Sequence, residues 1–458
     1  MFDIKKATVF ASVLLCAVTV SAQSLSSAYF LSGSYTRQEL NPALTPERAY
    51  FSLPVLGGFE LNANSNVGLS NFVYNSTRYP GKLTSFMSAD VDGNTFLSAL
   101  KNRNSIGSSS TIELLSTGFS QFGGYTTIGL KLKDSEELFV PKEFFAFMKA
   151  GLSDGQYLIE DLNSKVRAYA DLQLGHSRKI GDNLRVGARI HVLAGLGYAD
   201  LNVKRMNAVS GAAQWRLSMD AEARVNGFKL QTKNDGTPDF DKVKYQFQGI
   251  TGIGMALDLG AEYNLSDFVD GLKLSASVTD LGFMNWSEVQ TFATNPNDEF
   301  TFDGFHGVAD EDELNRQSDE IGERLEALAT FHETDSKSYS AAPAATFRLG
   351  AQYCIPGVRW LSAGELLTIR TGSMSMFESR TSVNFAPFTW FDASLNVAFS
   401  TYGTALGWIV NFHPNGINFF VGSDGFRAKL NKNSVPLNDC TASIMAGLRF
   451  PLGQLLDM

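Results

Sequence analysis

The sequence predicts an all-β chain closed into a transmembrane antiparallel β-barrel of 16 strands, with 14 as the alternative, and three observations predict it. The first is the stretch from Val166 to Leu201, which reads as a hairpin of two long strands. Val166, Ala168, Ala170, Leu172 and Leu174 alternate with Arg167, Tyr169, Asp171, Gln173 and Gly175. After Gly181-Asp182-Asn183, the residues Leu184, Val186, Ala188, Ile190, Val192, Ala194 and Leu196 alternate with Arg185, Gly187, Arg189 and His191. Soluble strands usually run about 5–6 residues, whereas a spanning strand needs about 9–11, apolar on one face and wet on the other. The second is that no segment past the N-terminus offers ~18 consecutive apolar residues, so strands must satisfy the backbone in lipid. The third is composition: 44% hydrophobic with 41 Gly and mean hydropathy near zero suits strands that are half polar. A large soluble β-sandwich is the competing reading.

Residues 1–22 read as an export signal. Lys5 and Lys6 supply the positive end, Ala7 to Val20 the apolar core, and Val20-Ser21-Ala22 a small-residue cleavage site. This places the protein in the Gram-negative cell outer membrane. Leu15 stands where a lipidated Cys16 would want a small residue, so no lipid anchor is expected. Residues 23–56 are then a plug or periplasmic segment, 57–450 the barrel and 451–458 a tail. A net charge of −9 argues against nucleic acid. Cys354 and Cys440 are too few for a disulfide scaffold, and they are expected at opposite ends of the wall, unpaired.

In chain order, Leu40, Asn41, Pro42, Ala43 and Leu44 are the plug candidates, and Ala49 to Leu53 is a short extended piece left outside the wall. Wall strands are expected at Phe59 to Ser70, Thr111 to Ser120 and Tyr125 to Lys133, with Asn71 to Ser110 a polar loop. A short helix is expected with Pro141 at its first position, gathering Phe144, Phe145, Phe147 and Met148 on the rim. Gln214 to Val225, Met255 to Tyr263 and Leu272 to Trp286 continue the wall, with Phe283 and Trp286 at a membrane interface. Ser287 to Ala342 is an acidic insertion with a helix from Asp310 whose Leu314, Ile321, Leu325 and Leu328 share a face. Six strands follow between Ala345 and Gly422, and Thr441 to Phe450 closes the ring. Short turns belong to the periplasm and long loops to the cell surface. Counting directions by that rule requires a downward strand at Tyr198 to Met206 and makes Gln214 to Val225 run upward, which gives 16.

Asn41-Pro42-Ala43, Asn62 to Ser70, Leu174-Gly175-His176-Ser177-Arg178-Lys179-Ile180, Val278-Thr279-Asp280-Leu281-Gly282-Phe283 with Trp286, His413-Pro414-Asn415-Gly416 and Gly447-Leu448-Arg449-Phe450-Pro451-Leu452-Gly453 occur in this order. Together they resemble the Bacteroidota outer-membrane barrels catalogued as domain of unknown function 5723. That family is distantly similar to the long-chain fatty-acid transporter barrels and to barrel subunits of the type IX secretion system. The resemblance covers almost the whole mature chain. It implies place and fold, and it supplies no catalytic residues.

The residues point the same way. Five His occur without a Gly-x-Ser-x-Gly elbow, a paired metal-ligand spacing or a phosphate loop, so no enzyme, metal or cofactor is expected. The inward strand phase carries Arg167, Asp171, Arg185, Arg189, Arg216, Asp220, Glu222, Arg224, Asp258, Glu262, Arg348, Arg380 and Asp392 as lumen-lining candidates. Such charge lines a water-filled path or cross-links a closed wall. Two functions follow. One is a transporter or channel for small amphipathic or hydrophobic molecules. The other is a non-transporting interaction barrel, a secretion- or surface-associated docking component that binds a surface protein partner through residues 287–342. In either case outer-membrane lipid and the barrel assembly machinery are expected partners.

Overall fold

The structure, a computed structural model, describes residues 25–452 except for 47, 151–152, 212–213, 233–237, 246–248, 305–310 and 428–439. The expected export signal and residues 453–458 of the tail lie outside the described residues.

Alternating polar and apolar side chains give each strand one face for lipid and one for the interior, and the strands close into a ring of fourteen antiparallel positions. In chain order the ring begins with β1, in two pieces, Ala49–Ser52 and Phe59–Ser65, then β2 Arg103–Gln121, β3 Gly124–Pro141, β4 Leu162–Ile180 and β5 Leu184–Ser210. It continues with β6, again in two pieces, Trp215–Asn226 and Gly252–Asn264, β7 Leu272–Ala293, and β8, made of His332–Ala341 and Thr346–Cys354. The remaining positions are β9 Leu361–Arg370, β10 Met376–Phe388, β11 Phe391–Ser400, β12 Gly403–Phe412, β13 Asn418–Ser423 and β14 Cys440–Leu452. The seam closes where Ala49 faces Leu452 and Phe59 faces Ala446.

The wall has fourteen strands rather than sixteen for two physical reasons. Tyr198 to Met206, expected as a separate downward strand, continues β5. Ala168 pairs with Gly197 and Tyr169 with Gly195, so Leu196 is the extra residue of a β-bulge. A bulge reverses the alternation, and in sequence a reversed alternation reads as one strand ending and another beginning. The second reason is that Gln214 to Val225 and Met255 to Tyr263 share one wall position. β5 pairs through Tyr198 to Val209 with the first piece of β6 and through Leu184 to Gly195 with the second. Between them Phe228–Thr232 and Pro238–Tyr245 pair with each other in a separate two-stranded sheet outside the wall. Gln214 to Val225 therefore runs opposite to the direction that parity gave.

Ala49–Ser52, expected outside the wall, is part of it, paired with both β14 and β2. Pro54 lacks a donor and Val55 takes a left-handed φ of 68°, so pairing stops and resumes at Phe59. Asn71 to Ser110 is only partly a loop, because β2 already begins at Arg103. The rest encloses Phe86, Val91, Phe96 and Leu100, against which Phe145 and Met148 pack. Phe145 and Met148 belong to the helix Lys142–Ala150, which begins one residue past Pro141. The helix Glu311–Leu328 sets Ile321 and Leu328 against Phe300. Both helices stand at the end with long connections. The opposite end has tight turns, such as Phe122-Gly123, where both φ values are positive, as a two-residue hairpin requires.

Among the described residues no helix is long and apolar enough to cross a membrane. The wall's outer face is apolar: Ile190 is 49% and Leu395 71% exposed, while Arg189, one residue from Ile190, is 5% exposed. Phe283 is exposed as expected for a membrane interface, but Trp286 is buried against Tyr198. Residues three apart on a strand face opposite ways, so the two could not share a belt. Trp360, Phe388, Trp390 and Phe412 gather instead at the short-turn end. Cys354 and Cys440 form no disulfide.

Replacing outward Ile190 by Arg is expected to destabilise the barrel in lipid by about 2–4 kcal/mol, since Arg is that costly near the bilayer midplane. A denaturant titration in liposomes checks this, and no loss for Ile190→Arg would remove that face from the membrane.

Candidate functional site

Residues 25–45 run inside the ring and meet it on almost every side. Their backbone groups need partners there, because buried N–H and C=O groups left unpaired are costly. Asp424, just past β13, receives the backbone N–H groups of Ser26 and Ser27 at 2.6 and 2.7 Å. Asp392 on β11 accepts from Gly33 N at 3.0 Å, and Arg189 on β5 donates to Gln38 O at 2.7 Å. Leu40 O accepts from Ser277 on β7 at 2.8 Å and from Arg348 on β8.

Asn41 holds the turn. Its Oδ1 accepts from Ala43 N at 2.9 Å, which tightens the Asn-Pro-Ala bend. Its Nδ2 donates to Tyr29 Oη at 3.1 Å and to the carbonyls of Ala261 and Ala276 on two neighbouring strands. The wall makes room with glycine: a Cβ on Gly260 would lie 1.9 Å from Asn41 Oδ1, and one on Gly187 2.3 Å from Pro42 O. Leu40 and Leu44 pack with Tyr29, Phe30 and Leu366, and Leu25, Ala28 and Leu31 pack with Ile409, Phe420 and Met445.

Charge links the segment to the wall at a second level. Arg449 on β14, wholly buried, reaches Glu113 Oε2 at 2.7 Å and Glu39 Oε1 at 3.0 Å, with the Tyr50 and Phe420 rings beside it. Lys131 on β3 pairs with the other side of Glu39. Burial alone would raise the Glu39 carboxyl, but Lys131 and Arg449 more than offset it and hold it at about 2.

A third level lies behind. Asp171, fully enclosed, accepts from Lys133 at 2.8 Å, His191 Nδ1 at 2.9 Å and Gln173 at 2.7 Å. His191 Nε2 lies 3.0 Å from Asp258, which also faces Arg189 at 3.5 Å. Asp171, His191 and Asp280 bring ligand atoms within 4.8 Å of one another, as a metal site would. Lys133 already stands at 2.8 Å from Asp171 and 3.3 Å from Asp280, so the charge a cation would supply is present.

Of the residues singled out in the sequence, Arg185, Arg189, Glu262, Arg348 and Asp392 touch the inner segment directly. Asp258 pairs with Arg189, and Asp171 stands behind it through His191. Arg380 pairs with Glu378 at 2.9 Å and donates to Asp424 O at 2.7 Å. Arg167 pairs with Glu137 at 3.3 Å. Arg216, Asp220, Glu222 and Arg224 lie apart, toward the long-connection end, where Arg224 meets Asp200 and Glu222 and covers the Tyr339 ring. Lys131, Lys133, Glu113 and Arg449 were not singled out, although strict alternation points to three of them: Lys131 and Lys133 flank Leu132, and Arg449 lies between Leu448 and Phe450. Glu39 and Asp424 lie off the wall strands, where alternation gives no signal.

Toward the long-connection end the interior opens into a cavity of about 130 Å3 bordered by Ser26 of the segment, Lys133, Arg167, Tyr169, Trp286, Arg348 and Arg370.

Fold and interior together define an outer-membrane-type β-barrel with its N-terminal segment threaded inside. The chain belongs to the family described as Family of unknown function (DUF5723), whose model matches residues 42–424. No curated protein matches it in sequence. Among solved structures it is similar to a TodX deltaS2S3 mutant monoaromatic hydrocarbon channel, at 10% identity over 94% of this chain and 95% of that one, with a TM-score of 0.42. It is also similar to the toluene transporter TodX of P. putida, at 10% identity over 90% and 93% with a TM-score of 0.39. A Pseudomonas aeruginosa FadL homologue is similar at 10% identity over 94% and 98%, with a TM-score of 0.37.

Two outcomes test the site. A Gly260→Val side chain would collide with Asn41, so trypsin is expected to cut at Arg37 in that variant and to spare it in the parent barrel. Equal protection would mean that the bend is held elsewhere. Glu39, held low by folding, adds stability that is complete above its ordinary value of 4.5 and is lost as pH falls toward about 2. Glu39→Gln is expected to remove that part of the acid sensitivity, read from melting curves between neutral pH and about pH 2.

Proposed function

We propose that this protein is a transport barrel of the outer membrane, exported by its N-terminal signal, that passes small amphipathic molecules past residues 25–45 acting as an internal plug. The observation that carries the reading is the contrast along the barrel axis. The segment fills one stretch of the interior, while toward the long connections a cavity of about 130 Å3 borders its first residues. The contacts that hold the segment are hydrogen bonds and ion pairs rather than a continuous apolar core, so polar groups of water and solute can take their places. This reading assigns no catalytic role to any residue.

The docking reading has its own support in the helix Glu311–Leu328, whose Glu320 and Glu323 are exposed. Liposome swelling separates the two. Solute entry is expected to rise severalfold when residues 24–47 are deleted, and no entry with either chain would leave the docking barrel. Orientation is checked with epitope tags: antibody is expected to reach a tag near Ser318 on intact cells and not one at Asn183.

A further inference from the structure

The cavity over the inner segment has a lining whose hydrogen-bonding capacity is unbalanced. Its carboxylates each have a donor, Asp280 in Lys133 at 3.3 Å, Glu137 through one oxygen in Arg167 at 3.3 Å, and Asp134 in the Ser110 hydroxyl, while Glu137 Oε2 has no partner. Two guanidiniums remain. Arg370 makes no hydrogen bond or ion pair among the described residues. Arg348 is 8% exposed, donates from Nη1 to Thr279 at 3.0 Å and weakly to Leu40 O, has no carboxylate within 4.0 Å, and leaves Nε without a partner. Two more enclosed donors that line the same space are also unpartnered, Thr368 Oγ1 and Trp286 Nε1. Buried donors left unpaired are costly, more so when charged, so a lining of this kind favours an acceptor over a neutral occupant.

The register sets the shape of that acceptor. Arg348 pairs with Thr368, and Thr346 with Arg370, so the two arginines are diagonal neighbours on adjacent strands and share the inner face. Diagonal positions stand ~7–8 Å apart at Cα, a spacing at which two guanidinium forks can close on one oxyanion. Met284, Met376 and the edge of Trp286 complete the lining with apolar surface.

We infer that this cavity binds small organic anions, with the oxyanion head between Arg348 and Arg370 and the apolar body against Met284, Met376 and Trp286. The inference rests on the transport reading for its purpose but not for its test, since binding is measured without transport. The head is a carboxylate or a phosphate, and both offer the planar or tripodal oxygens that arginine forks match. A neutral hydrocarbon would leave both guanidiniums unanswered.

The test is calorimetric titration of the full barrel in detergent with benzoate, phenyl phosphate and benzyl alcohol, three probes of one body and different heads. At least one anion is expected to bind roughly tenfold or more tighter than the alcohol, and whichever does so names the head group. Arg370→Gln removes a side chain with no partner in the wall and is expected to abolish the preference while the barrel still runs as a folded species on an unheated gel. Arg348→Lys keeps the charge but not the fork and is expected to reduce the preference. Equal affinity for anion and alcohol, or an anion preference that survives Arg370→Gln, overturns the inference. Anion binding without flux in liposomes would sink the transport reading and leave this one standing.

Discussion

Arg449 is the interaction on which the interior depends. It lies on the closing strand, out of reach of solvent, and its charge is answered by Glu113 from the wall and Glu39 from the inner segment. A buried guanidinium with one partner removed is destabilising by several kcal/mol, so the wall and the segment are each incomplete without the other. The same reciprocity recurs around the ring. Asp424 waits on two backbone N–H groups of the segment, and Arg189 on the Gln38 carbonyl. The glycines at 187 and 260 leave hollows into which Asn41, Pro42 and Ala43 fit.

This explains why the lumen is charged without being uniformly wet. Half of every wall strand must be polar to face an interior that lipid cannot enter. In the stretch occupied by residues 25–45, much of that polarity meets protein partners, such as Asp424 with Ser26 and Ser27 and Arg189 with Gln38. Toward the long connections it borders a cavity, and there the arginines of β8 and β9 line the open space.

The architecture was legible wherever alternation was unbroken. Val166 to Gly175 and Leu184 to Gly195 announced a membrane wall, and the outward set of Ile190 with the inward set of Arg189 follows the pattern residue by residue. Legibility failed where the chain did something that alternation does not encode. The extra residue at Leu196 reversed the phase and looked like a strand boundary. The separate pair Phe228–Thr232 and Pro238–Tyr245 between the two pieces of β6 made one wall position look like two, and the interruption after Ser52 hid the first piece of β1. Among side chains, most of the inward charges on regular strands follow from alternation, Lys131, Lys133 and Arg449 being within its reach, whereas Glu39 and Asp424 lie off the strands. Glu39 meets Arg449 across 410 residues and Asp424 meets Ser26 across 398 residues, and no local pattern carries that information.

The seam has a consequence for timing. The first wall strand pairs with the last, and the segment ahead of it bonds to Asp424 and Arg449, separated from Ser26 and Glu39 by 398 and 410 residues. Nothing in the earlier strands can supply these partners. The inner segment therefore has to be held in the half-built cylinder, or be drawn in behind it, until the final tenth of the chain arrives. Enclosure of the segment and closure of the cylinder are in this sense a single event, and both ends of the chain have to be together when it happens.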